Sequence, residues 1–352
     1  MKPLHFDYDI SRDVEQSIQY SGVDIEVFRG KTVFVTGGTG FFGVWLLSVL
    51  LSIRKKLGGD LRLMALSRNP EKFVLAHPHH CFGSQVEFVR GDVKNFRFTG
   101  CTEITHLIHM AATNATETFA GEDQLNKLDM LYMGTRNVLD QCSESLESVL
   151  FTSSGVAYGV NRNSVISEND YTGPDTTEIG SALGLGKLAA EYLVAYYASR
   201  FGYTYAIARC FAFAGQYLPL NLHYAFGNFI HNAVCGQDIV IRSDGQDFRS
   251  YLYIGDAMAW ILRLLAEPNN QIYNVGSEHA ISIEALARKI AQKSSYPINV
   301  FIQGVHSEVG NFRRNSYIPD TRKITTTHHG LIERTSLDEI IYKMLATTSI
   351  TA

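Results

Sequence analysis

The chain has 352 residues, 45% apolar and 19% charged, a balance that suits a folded protein and excludes a disordered one. Its formal net charge of −4 and scattered histidines leave no electrostatic footprint for nucleic acid, although small anions held by a few local groups stay open. Five cysteines, none in a C-x-x-C pair, indicate neither a disulfide framework nor a thiolate metal site and suit a reducing compartment.

Residues 1–29 read as a polar leader, too acidic for a secretory signal. The longest apolar run, VWLLSVLL, falls well short of the roughly 20 residues that a membrane span needs. The expectation is a soluble, cytoplasmic protein with no membrane or nucleic-acid partner. KTVFVTGGTGFFGVWLLSVLLSIRKKLGGD then predicts a β-branched strand, a glycine turn and a long apolar helix. Arg54, Lys55 and Lys56 complement the dipole at the helix end, and Gly58-Gly59 stops it. LRLMALSR, VEFVRGDV and ITHLIHMAA predict the second, third and fourth strands. A helix over LNKLDMLYMGTRNVLDQC leads to a fifth strand, SVLFTSS. A further helix covers 181–201, and YTYAIARCF gives a sixth strand.

Strands alternating with helices at this spacing predict an α/β fold, a doubly wound Rossmann-like parallel sheet over residues 30–215. Beyond 215, DIVIR, SYLYI and QIYNVG mix with helices at about 224–235, 255–266 and 282–294. They predict a smaller C-terminal α/β substrate-binding lobe over 216–345, interleaved with the first without a linker. Packed over the carboxyl edge of the sheet, it would make a cleft where open α/β folds bind ligands.

Gly37, Gly40 and Gly43 of TGGTGFFG lie directly between a strand and a helix that opens at Phe41 and Phe42. Such a turn brings backbone N–H groups and a helix N-terminus against a pyrophosphate, where a Cβ would obstruct. At the end of the second strand an acid would bond a ribose 2′-hydroxyl, whereas an arginine would accommodate a 2′-phosphate. Ser67 and Arg68 stand there, with no acid, which favours NADP and leaves NAD as the alternative.

TGGTGFFG, GDV at 91–93, HMAA at 109–112, TSSGVAYG at 152–159 and GLGKLAAE at 184–191 resemble the extended short-chain dehydrogenase/reductases. RCFAFAG at 209–215, DFRSYLYIGDA at 247–257 and YNVGS at 273–277 resemble that family's nucleotide-sugar branch. The resemblance implies that Asp92 contacts the adenine with Val93 beside it, that Ala111 and Ala112 line the dinucleotide, and that Arg249 sits near the phosphates of a nucleotide-linked sugar. It also implies a tyrosine whose pKa is lowered by a lysine four residues on, with a serine bonding the same substrate oxygen. Ser154 matches the serine and Lys187 the lysine, but Leu183 occupies the tyrosine position and Leu131 stands where an asparagine is usual.

Leucine moves no proton, so candidates for a substitute acid include Tyr158, Tyr171, Glu178, His223 and water. Dehydratases and decarboxylases of this branch carry an acid just after the serine, whereas this chain has Gly155 and Val156. What remains is hydride chemistry at a sugar ring carbon: a ketosugar reductase or an epimerase in glycan or lipopolysaccharide precursor synthesis. A catalytically silent NADP-binding sensor or partner protein is the other reading, and a deliberately replaced tyrosine a third. The resemblance further implies a homodimer paired through LNKLDMLYMGTRNVL and LAAEYLVAYYASRF.

Overall fold

The computed structural model describes residues 4–6, 9–100, 102–112, 123–160, 163–170, 172–220, 222, 224–304 and 316–350. Its centre is a parallel sheet of seven strands: β1 (Lys31–Thr36), β2 (Leu61–Ser67), β3 (Glu87–Arg90), β4 (His106–His109), β5 (Ser148–Ser154), β6 (Thr204–Cys210) and β7 (Gln271–Val275). They lie in the order β3-β2-β1-β4-β5-β6-β7. Strand order reverses between β1 and β4, and the gap this opens at their carboxyl ends is where such sheets take ligands. Residues such as Val33, Val35, Leu63, Ala65, Ile108, Leu150 and Ala206 are buried, as strands covered on both faces require.

Helix α1 (Ser11–Ser21) precedes the sheet, and α2 (Phe41–Lys56), α3 (Gln124–Cys142), α4 (Ala182–Phe201) and α5 (Ile254–Ala266) cover it. α2 carries its three cations in the last turn and ends before Gly58 and Gly59, both left-handed at φ 66° and 93°. α3 and α4 pack on each other over one face, with Val138, Leu139, Ala190 and Val194 in the core beneath them.

Two expectations change. QIYNVG, placed in the smaller lobe by its position in the chain, supplies β7, paired in register with β6 from Gln271↔Ala206 to Val275↔Cys210. Its sequence resembles any short apolar strand, and only the pairing assigns it to the large sheet. The leader also does more than its polarity suggests. α1 buries Val14 and Ile18 and packs against α5, and Ser17 Oγ donates to the Gly255 carbonyl at 2.8 Å. Phe28 is fully buried with its ring edge on His106. Charged residues on the outer face of α1 hide that apolar stripe in the composition.

Beyond β6 the chain builds small sheets. Phe248–Arg249 runs between Ile281–Ser282 and Ser316–Tyr317, and Ile239–Ile241 pairs with Val300–Ile302. Residues 316–320 are also tied to the segment after β5. Ile166 N–H donates to the Ile318 carbonyl at 2.8 Å, and Asp320 N–H donates to the Ile166 carbonyl at 2.7 Å. This double tie brings a C-terminal strand to the carboxyl end of β5.

Replacing Phe28→Ala should cost about 3–5 kcal/mol, the range for emptying a buried aromatic site. Urea denaturation measures it, and a loss below about 1 kcal/mol would mean that residues before β1 do not support the sheet.

Candidate active site

The three glycines of the first turn do different work. Gly37 has φ +72°, and a Cβ there would lie 2.7 Å from the Met110 carbonyl carbon, so it lets β1 turn sharply beside β4. Gly43 is pressed against the turn: a Cβ would meet the Gly38 carbonyl at 2.2 Å. Gly40 differs, since a Cβ would meet only the Gly37 oxygen, at 4.0 Å, and otherwise point into open space. The N-cap of α2 is Gly40, which has no side chain to cap its first turn. An open, Cβ-free face beside uncapped amides fits a dinucleotide pyrophosphate, which the N–H groups of Phe41, Phe42 and Gly43 would hold.

Around this turn stand the other expected residues. Ser67 is buried at the end of β2, its Oγ accepting from Asn69 N–H at 3.2 Å, and Arg68 is exposed beside it. Asp92 caps the loop after β3 by accepting from Lys94 N–H at 3.0 Å. Val93 packs against α3 at Gly134. Ala111 and Ala112 follow β4, and Ala111 N–H donates to Thr36 Oγ1 at 3.3 Å.

That last bond starts a chain through the molecule. Thr36 Oγ1 lies 2.6 Å from His109 Nδ1, His109 Nε2 lies 2.9 Å from Thr135 Oγ1, and Thr135 donates to the Leu131 carbonyl at 2.6 Å. Thr135 has spent its proton on Leu131, so the network assigns the hydrogen to His109 Nε2 and leaves Nδ1 to accept from Thr36. The imidazole is therefore neutral, and burial with the nearby Lys187 charge pushes its pKa down to about 3. His109 is a connector, not an acid.

Lys187 bonds the strand that ends at Ser154. Lys187 is buried, donates to the Thr152 carbonyl at 2.7 Å and lies 4.9 Å over the Phe151 ring. Burial lowers its pKa to about 8, so it stays a cation near neutrality. Ser154 ends β5 and accepts from Val156 N–H at 3.3 Å. Leu183 is half-buried one turn before Lys187, and Leu131 is fully buried against Gly186. Neither leucine offers a polar group to the space around Lys187.

A buried brace holds this region. Glu191 on α4 accepts from Arg209 Nε and Nη2 at 2.9 and 2.7 Å, and Ser153 Oγ donates to the same carboxylate. The Arg209 guanidinium lies 4.4 Å over the Tyr158 ring. The Tyr158 hydroxyl donates to Asn274 Oδ1 at 2.7 Å, and burial pushes its pKa up to about 12. Tyr158 is therefore a structural member of the brace. Glu178 is exposed in the turn before α4, while Tyr171 and His223 lie outside the described residues. Arg249 is half-buried beside Asp247, with Nη2 3.7 Å from its carboxylate and Nη1 donating to the Phe248 carbonyl at 2.8 Å. It is the register partner of Tyr317, whose hydroxyl lies 3.5 Å from Ser154 Oγ.

Residues 33–276 match the family described as the NAD dependent epimerase/dehydratase family, more than half of the chain. The chain belongs to that family. Family members similar to it include UDP-glucuronic acid decarboxylase 6 of Arabidopsis thaliana, 25% identical over 74% of this chain and 73% of that protein. A putative UDP-glucose 4-epimerase of Methanocaldococcus jannaschii is 26% identical over 72% of this chain and 79% of its own length. In fold the chain resembles the UDP-glucose 4-epimerase of Thermotoga maritima solved with UDP-glucose, with a TM-score of 0.73 and 17% identity over 90% of this chain and 98% of the other. MoeE5, solved with UDP-glucuronic acid and NAD, gives a TM-score of 0.71 at 23% identity over 90% and 98%.

Of the residues that build this family site, the sequence reading missed Glu191, Arg209, Asn274, Thr36, Thr135 and Tyr317. Thr36, Glu191, Arg209 and Asn274 lie inside the quoted motifs and Thr135 in the Gly-Thr pair after Leu131, but nothing local marks what each of them bonds. These residues matter through partners far away in the chain.

The space around Gly40 and the tight packing of Gly43 give the two glycines different expected effects. Gly40→Ala should keep the melting temperature but lose the upward shift that NADP(H) gives, since ligand stabilisation requires binding. Gly43→Ala should lower the melting temperature itself. Thermal denaturation with and without dinucleotide checks both, and equal destabilisation by the two variants would refute the division.

Proposed function

We propose that this protein is a nucleotide-sugar oxidoreductase or epimerase that binds a nicotinamide dinucleotide, NADP in preference to NAD, and moves hydride at a sugar ring carbon. Glycan or lipopolysaccharide precursor synthesis is the setting this chemistry suits. The observation carrying the reading is that buried Lys187 bonds the Thr152 carbonyl near the carboxyl end of β5, the strand that ends at Ser154, with only β4 between it and the strand that leads into the glycine turn. When bound, the dinucleotide supplies or takes the hydride. Ser154 would hold the reacting oxygen, Lys187 would keep positive charge beneath it, and Arg249 would pair with phosphate.

Reduction of a 4-ketosugar fits better than dehydration or decarboxylation. Those reactions call for a carboxyl after the serine, and Gly155 offers none. Ser67 and Arg68 favour NADP because neither would repel a 2′-phosphate and a guanidinium can bond it bidentately. The loss of polar groups at Leu183 and Leu131 favours a second reading, a silent NADP-binding sensor or partner of the same fold.

We also propose a homodimer. Leu125 and Met133 on α3 and Tyr192, Tyr196 and Phe201 on α4 are exposed, Leu125 at 71% and Tyr192 at 67%. Exposed apolar side chains on two helices that pack together suit self-association. Light scattering should give a dimer mass, and Tyr192→Glu should shift it toward the monomer; a monomeric wild type would end the proposal.

NADP(H) should raise the melting temperature under either reading. Only the enzyme reading predicts added stabilisation by a nucleotide sugar and NADPH oxidation on a nucleotide-linked 4-ketosugar. Arg68→Asp should weaken NADP at least about tenfold more than NAD, the cost of one lost charge-assisted contact. Calorimetry reads both affinities, and parallel losses would show that Arg68 does not touch a 2′-phosphate.

A further inference from the structure

We propose that Tyr317 supplies the acid that Leu183 cannot, making it a catalytic residue of the reaction. The inference rests on the hydride-transfer reading above. Its ground is position. The Tyr317 hydroxyl lies 3.5 Å from Ser154 Oγ, although 163 residues separate the two in sequence. Ser154 is the group placed to hold the reacting oxygen, so a hydroxyl beside it can share that oxygen.

The surroundings are shaped to admit this phenol. A Cβ on Gly155 would stand 2.6 Å from the Tyr317 hydroxyl and 2.9 Å from its ring carbon Cε2, so any side chain there would evict it. The bare position that argued against dehydration is thus filled from across the fold. The ring packs on Phe211 with centroids 4.6 Å apart. Its backbone is fixed twice, by pairing with Phe248–Arg249 and by the Ile166 bonds to residues 318 and 320. The hydroxyl therefore arrives on a rigid strand, and the residue keeps partial exposure toward solvent.

Among the described residues, several other groups that could carry a proton are committed elsewhere. His109 has both nitrogens engaged, Tyr158 donates to Asn274, and Glu191 is held by Arg209. Burial pushes the Cys210 thiol up to about 12. Burial likewise raises the Tyr317 phenol to about 12, against lowering contributions from Ser154 and Arg249. Tyr317 is therefore protonated at neutral pH, the form that ketone reduction requires.

The step balances simply. The carbonyl carbon takes a hydride, two electrons and a proton's mass, from the reduced nicotinamide of NADPH. The carbonyl oxygen takes the Tyr317 proton, giving an alcohol and the oxidised cofactor, and the phenolate regains a proton from water. Ser154 holds the oxygen throughout.

The test uses full-length protein and Tyr317→Phe, which keeps the ring on Phe211. General acid catalysis is worth roughly 10²–10⁴-fold. The variant should therefore lose at least about 100-fold in kcat for NADPH oxidation on a nucleotide-linked 4-ketosugar, with melting temperature and NADP(H) affinity unchanged. Gly155→Ala, which displaces the hydroxyl without removing it, should also slow turnover. Retention of full kcat by Tyr317→Phe in an active wild type would overturn the role of Tyr317 while sparing the function. Absence of turnover together with absence of nucleotide-sugar stabilisation in the wild type would overturn the function, and this proposal with it. A second readout needs no turnover. Ultraviolet titration of tyrosinate, wild type minus Tyr317→Phe, should show one phenol whose pKa falls when NADP⁺ binds, because a positive ring nearby favours the phenolate. A titration unmoved by NADP⁺ would place Tyr317 away from the nicotinamide and refute the proposal.

Discussion

The buried ion pair between Glu191 and Arg209 is what the candidate site depends on. Both side chains are almost wholly removed from water, at 7% and 10% exposure, so each charge is tolerable only because the other is there. The pair joins α4 to β6, and Ser153 adds the end of β5 to the same carboxylate. These are the elements that carry Lys187 and Ser154. Removing either partner of such a pair leaves a stranded charge and costs about 3–5 kcal/mol, so the brace fixes the helix as well as stabilising it. Tyr158 and Asn274 extend it to β7.

A second network reaches the site from the cofactor side. The run from Ala111 through Thr36, His109 and Thr135 to Leu131 links β1 and the end of β4 to α3. Every donor and acceptor in it is spent on a neighbour, which keeps the imidazole neutral. A buried polar chain satisfied along its length is rigid, and rigidity is what positioned groups require. The aliphatic Leu131 fits this arrangement because only its carbonyl is used.

On the proposed reading, these two networks would let the site keep Ser154 and Lys187 while Leu183 supplies no acid. The scaffold fixes where the reacting oxygen would sit, and a proton can reach that point from any strand that ends there. Gly155 and Tyr317 act as a pair in this respect: the absent side chain on one makes room for the phenol of the other. A carboxyl at 155 and a phenol from 317 exclude each other sterically, which ties the choice of reaction to the choice of acid.

Much of this was legible in the residues alone. The glycine turn, the strand–helix alternation and the stop of α2 are local, because they depend on backbone freedom and on periodicity within a few residues. The helix that carries Leu183 and Lys187 and the strand that ends at Ser154 are local in the same way. The folding of residues 11–28 into the core, the membership of β7 and the roles of Glu191, Arg209 and Tyr317 could not be read from the residues. Each depends on a partner far off in sequence, and a lone strand, ion or phenol carries no mark of its partner. Local chemistry written in the sequence determined that a dinucleotide turn and a lysine-bearing helix would form. Only the packing of distant strands decided which hydroxyl stands beside Ser154, since that distance is set by the whole sheet and by no neighbouring residue.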